Sequence, residues 1–229
     1  MAITLVGTPQ AGSAINAGDV TLTFDVAPQE NDVVVVWGGP SIVGSSAIVT
    51  SGYTAISADQ LNSQCRAWYK RMGATPDTTV VGDGGADARD AVGYLSWVLR
   101  GVDTTTALDT AATLANGTGS SPNPPTITTV TDGAWVFAFA SLLANDATPG
   151  DLSNYSNQVI ANATDTFNLS VTGMTREIGT ASAEDPPTYT GWSGTWGAVT
   201  AAIRPAAGGG DGQPPNRIST PIGLGIFRV

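Results

Sequence analysis

Short β-prone runs, broken by Gly, Pro, Asn and Asp, recur along nearly the whole chain, and no stretch carries a long helical stripe. That rhythm restricts the fold more than any other feature. Residues 19–26 alternate: Val20, Leu22, Phe24 and Val26 point one way, Thr21, Thr23 and Asp25 the other. A period of two marks a half-buried strand. Residues 33–37 are continuously apolar, which suits a strand covered on both faces, and Gly38-Gly39-Pro40 is expected to stop it. Further strands are expected over 47–56, 65–72, 78–81, 91–102, 126–130, 133–143, 158–163, 166–172 and 196–204. Residues 107–115, rich in Ala and Thr, read as the one place for a helical turn or two. About ten strands at spacings near 8–12 residues predict an all-β chain, an antiparallel β-sandwich of jelly-roll type, rather than a parallel α/β sheet.

The composition shifts at residue 206. The sandwich is expected to be a single domain over 1–205, followed by a Gly/Pro-rich linker over 206–217 and an apolar tail over 218–229. Ile218, Ile222, Leu224, Ile226 and Phe227 give the tail its apolar character. So short a segment does not order itself alone, so it is read as a docking tail for its own chain or a neighbour.

Charge excludes several function classes. Charged residues are 12% of the chain, against about a quarter in an ordinary soluble protein. Nine basic residues face nineteen acidic ones, for a net charge of -10. Lys70 is the only lysine, and Arg66, Lys70 and Arg71 form the only basic cluster. Phosphate backbones need several clustered cations, so nucleic acid and membrane are not expected partners. With no histidine, the usual Ser-His-Asp and Cys-His constellations and His-based metal sites are ruled out. Cys65 stands alone, so no disulfide forms within the chain. No apolar run approaches the ~20 residues of a membrane span. The N-terminus lacks the basic-then-apolar layout of a signal peptide, which fits folding in a cytoplasm.

Three constellations merit a chemical reading. Asp83, Asp87 and Asp90 sit on a Gly-rich loop and are candidate ligands for a hard cation, although their spacing is not that of an EF-hand. The alternative is a solvated connection between strands, and no metal or other cofactor is expected. A glycosidase needs two carboxyl groups about 5–9 Å apart. Glu30 and Glu184 fall in turns and Glu177 near a strand end, so no catalytic residues are assigned and the chain is read as not an enzyme. Tyr189, Trp192 and Trp196 are the candidate ligand or contact aromatics. Trp192 and Trp196, four apart, share a face if the strand is continuous, and between glycines they would either stack on a glycan or pack over a sandwich end or a subunit contact.

The motifs also follow a recognisable order. Asn31-Asp32-Val33-Val34-Val35-Val36-Trp37 is followed by Ser51-Gly52-Tyr53-Thr54, then Arg66-Ala67-Trp68-Tyr69-Lys70-Arg71, then Leu99-Arg100-Gly101-Val102-Asp103. Pro124-Pro125-Thr126-Ile127 precedes Thr131-Asp132-Gly133-Ala134-Trp135-Val136, and Trp196 leads to Ile203-Arg204-Pro205. Over about residues 15–205 this pattern resembles the jelly-roll surface proteins of tailed bacteriophages and related particles. It departs from them at Tyr53, where a Trp is usual. The resemblance implies a non-enzymatic virion structural protein: a capsid decoration or cement protein, a head fibre or a tail-associated protein. It would fold in the host cytoplasm and sit on the virion surface. Its expected partners are other copies of itself, by analogy a trimer, and a major capsid or other virion protein. The alternative is a tail or fibre module that binds a carbohydrate or host receptor.

Overall fold

The structure, a computed structural model, describes residues 1–207 apart from 17, 42–45, 59–64, 86–89, 145–148 and 165. The described residues form fifteen strands and no helix. In the first half these are β1 (Thr4–Leu5), β2 (Gln10–Ala14), β3 (Val20–Thr23), β4 (Val33–Pro40), β5 (Thr54–Ala55), β6 (Arg66–Arg71), β7 (Thr79–Gly82) and β8 (Val92–Arg100). The second half holds β9 (Leu108–Ser120), β10 (Ile127–Thr128), β11 (Ala134–Leu143), β12 (Ser156–Ala163), β13 (Leu169–Ile178), β14 (Ala183–Glu184) and β15 (Gly194–Ile203).

One sheet runs β1-β8-β4-β6-β5, with β2 continuing β1 along β8; a second runs β12-β13-β11-β15-β9. Two ribbons, β3-β7 and β10-β14, complete the ladders, and every strand pair is antiparallel. The all-β, antiparallel expectation is therefore met. The order of filling is sequential: the first sheet is made before residue 101 and the second after residue 107. That order differs from the Greek-key interleaving of a jelly roll, whose chain passes back and forth between its sheets.

The sheets face one another across a shared core. Val33, Val35 and Trp37 of β4 and Leu95, Trp97 and Leu99 of β8 meet Phe137 and Phe139 of β11 and Val199, Ala201 and Ile203 of β15. The Trp37 and Phe139 rings stack at 5.3 Å and 11°. The alternate side chains of the same strands point away from this layer and are buried too. Val34, Val36, Tyr94 and Val98 lie under the β3-β7 ribbon with Val20, Leu22 and Val80. Val136, Ala138, Ala140 and Leu142 pack with Ile127 and Tyr189 in a second outer core. Covering on both faces is why β4 and β11 read as unbroken apolar runs instead of alternating.

Three local expectations are corrected. Gly38-Gly39-Pro40 does not stop β4, because these residues still pair with Tyr94, Gly93 and Val92. Gly38 has φ +152°, and a Cβ there would lie 2.1 Å from the Gly93 carbonyl oxygen, so glycine lets two backbones approach. Residues 107–115 are not helical: from Leu108 on they open β9, laid against β15, where Ala and Thr fit as well as in a helix turn. Of 47–56, only Thr54–Ala55 is strand, with an isolated bridge from Ile48 to Gly82.

Candidate functional site

The aromatic trio is packed inside the protein. Tyr189 is 0% exposed, Trp192 1% and Trp196 6%. The Tyr189 and Trp192 rings lie 6.1 Å apart, and the Tyr189 hydroxyl donates to the Ala138 carbonyl at 2.8 Å. Burial pushes the Tyr189 hydroxyl well above its usual pKa and keeps it neutral. Trp196 lies over Gly117, where a Cβ would come within 2.7 Å of its ring. Stacking on a sugar needs an exposed ring face, so of the two readings of these residues the burial supports packing within the protein. No sequence signal separates the two, because Gly flanks serve close packing as well as ligand approach.

The acidic loop is likewise put to local use. The Asp83 carboxylate accepts from the Gly85 amide at 2.8 Å, while Asp19 accepts from Gly84 at 2.9 Å. Asp90 is fully buried and accepts from the Ser41 hydroxyl at 3.1 Å, and that hydroxyl oxygen accepts from the Ala91 amide at 3.2 Å. Asp87 lies outside the described residues. Among the described residues, no group of three or more His, Cys, Asp or Glu is arranged to hold a metal.

The glutamates fall in three places. Glu184 is not in a turn but in β14, 7% exposed, where it accepts from the Tyr155 hydroxyl at 3.0 Å and from Arg176 at 2.8 Å. Glu30 lines an open hollow of about 270 Å³ with Asn31, Arg100 and Thr104. Glu177 lines another, of about 300 Å³, with Thr131, Asp132 and Gly133. Asp132 itself accepts from the Ala181 amide at 2.7 Å.

Both hollows border Met1 and Ala206, at the end of the sandwich where the chain crosses between sheets. This end is tightly tied. The Met1 ammonium donates to the Ala206 carbonyl at 2.8 Å, and the Ala206 amide donates to Gly101 at 2.7 Å. Asp103 donates to the Arg204 carbonyl at 2.9 Å, and Arg204 to the Ala107 carbonyl at 2.8 Å. Arg100 grips the buried Asp32 with two bonds, at 2.9 and 2.8 Å, and Asp32 raises the pKa of its guanidinium further. Arg204 pairs with buried Asp109 at 3.4 Å. Sequence reading missed these partners; an Arg closing each of two apolar strands is the signal that marks them. The end is built to fix where the chain enters, crosses and leaves. Ile218, Ile222, Leu224, Ile226 and Phe227 of the expected tail lie outside the described residues. Comparison with known proteins gives no matching family model, no matching curated protein and no matching solved structure.

Proposed function

We propose that the chain is a non-enzymatic structural protein of a phage-type particle, a decoration or cement protein on the outside of its capsid. The observation that carries the reading is what its reactive side chains do. Asp83, Asp90 and Glu184 fix turns, a buried serine and an ion pair, and Tyr189, Trp192 and Trp196 fill a core. A chain whose acids and aromatics hold its own layers together suits a load-carrying part. The charge-poor surface fits that role.

The edges supply contacts. β9 is the outermost strand of its sheet and runs for 13 residues. Its one charged residue is Asp109, buried against Arg204, and Leu114, Asn116, Thr118 and Gly119 are exposed. Proteins that stay apart blunt such edges with Lys or Pro; β9 has neither. The partners are a second copy of the chain and a capsid or other virion protein, with the tail adding as a strand across copies. By analogy the assembly is a trimer on the virion surface, folded beforehand in the host cytoplasm. The glycan or receptor alternative loses its residues with the burial of the trio.

Immunogold electron microscopy of particles banded from the organism that encodes the chain tests this. Gold on the shells of intact particles is the expected result. Gold confined to soluble cell material overturns the proposal.

A further inference from the structure

We infer that the body is two copies of one unit joined in tandem, and that the inner sheet face of each unit is an interaction surface whose fitting partner is another copy of that unit. In the first half, β2, β8, β4, β6 and β5 lie side by side in that order; in the second half, β9, β15, β11, β13 and β12 do. Each strand of the second series stands seven places later in the chain than its counterpart. The ribbons obey the same rule, β3-β7 answering to β10-β14. Antiparallel pairing alone permits many other orders of five strands, so the repetition is not dictated by the sandwich.

Individual residues repeat as well, at a spacing of about a hundred residues. Asn31 and Gly133, just before β4 and β11, have φ +70° and +75°. Each donates its amide at 2.9 Å across to the end of a neighbouring strand, Asn31 to Met72 and Gly133 to Ile178. Gly52 and Asn154 have φ +86° and +65°, and each is followed by a tyrosine. Tyr53 sits against Lys70, which pairs with Asp77 at 2.6 Å. Tyr155 sits against Glu184, which pairs with Arg176 at 2.8 Å. Lys70 is on β6 and Arg176 on β13, its counterpart. A tyrosine and a cation therefore stand at matching places in both halves, and each cation takes a carboxylate from the ribbon side, Asp77 just before β7 and Glu184 within β14. The bond from Phe24 to Thr78, 3.1 Å, is answered by that from Thr129 to Ser182, 3.0 Å.

The halves meet as like units do. Trp37 and Phe139 hold the same place on β4 and β11, and they stack on each other. Contact between equivalent positions is the mark of a two-fold, self-complementary interface. The ends agree: Val102, closing the first half, bridges to Pro205, closing the second. The face that each half turns to the other includes Val33, Val35, Trp37 and Phe137, Phe139 and Val199, all fully buried. Apolar surface on that scale needs a partner, and the partner each half has is its own kind. This rests on the fold alone and stands or falls apart from a virion role.

The test uses the full chain with a site-specific protease sequence inserted among the exposed Thr104, Thr105 and Thr106. After cleavage in native buffer, the two fragments are expected to stay one particle of unchanged mass on a sizing column. After complete denaturation they should reassemble in equal amounts and regain the near-ultraviolet dichroism of the buried tryptophans. Fragments that part in native buffer, that fold as separate monomers or that only aggregate after denaturation overturn the inference. Equivalence is read separately by exchange: Asn31→Gly with Gly133→Asn should leave the melting temperature within a few degrees, whereas Asn31→Val lowers it further. An exchange as damaging as Asn31→Val overturns the equivalence of the two units.

Discussion

Glu184 shows how far a residue's setting departs from its neighbours in sequence. Asp185, Pro186 and Pro187 follow it and read as a turn, yet its carboxylate is buried between Tyr155 and Arg176. Glu184→Gln keeps an acceptor for Tyr155 but leaves Arg176 without its counter-charge. Arg176 is 36% exposed, so solvent screens part of the loss, and about 1–2 kcal/mol of stability is expected to go. Guanidinium unfolding reads this as a lower midpoint with unchanged slope, and an unchanged midpoint refutes it. The tyrosines extend the argument to pH. Burial raises the pKa of Tyr53, Tyr94, Tyr155 and Tyr189, and the Glu184 charge adds to the rise at Tyr155. The folded state therefore holds these protons to higher pH than the unfolded chain, whose tyrosines titrate near ~10. Their contribution is complete below that pH and is lost above it. Most of the tyrosinate absorbance should thus develop together with loss of β-sheet dichroism; tyrosinate rising well before unfolding contradicts this.

Elements buried on both faces were the most legible. The apolar runs at 33–37 and 133–143 became β4 and β11 because a strand in the middle of a covered sheet has no polar face to alternate with. Strands held mainly by their partner were not legible. Gln10–Ala14 has little apolar pattern, and its pairing with β8 decides its state. Leu108–Ser120 carries alanines that suit a helix in isolation, and β15 alongside overrides that preference. The two-residue strands β5, β10 and β14 lie below what periodicity can resolve. The candidate site failed for a related reason. Trp192 and Trp196 look alike as core or platform until the chain around them is placed, and Ser121 then ties the Trp192 carbonyl at 2.6 Å.

At the scale of the whole molecule, the repeat escaped sequence reading because the halves keep pattern rather than identity. Ser51-Gly52-Tyr53-Thr54 against Ser153-Asn154-Tyr155-Ser156 is readable, whereas Trp68 answers to Met174 and Tyr94 to Ala198 within their outer cores. Packing preserves volume summed over a layer, so large residues on one strand are balanced by small ones on another. The same view shows how the described part of the body closes. Ala206 is bonded to Met1 and to Gly101, the point where the first half closes, and every residue of the three cores precedes it. A chain cut after Ala207 keeps the packing among the described residues and is expected to melt at the temperature of the full chain. The apolar residues beyond Gly210 have nothing to gain in water unless covered, and an uncharged edge such as the Leu114–Gly119 part of another copy's β9 offers them a ladder. Light scattering on a sizing column should give a discrete oligomer for the full chain and a monomer for residues 1–207. Equal masses for the two refute a strap between copies, and failure of residues 1–207 to fold places the tail within its own sandwich.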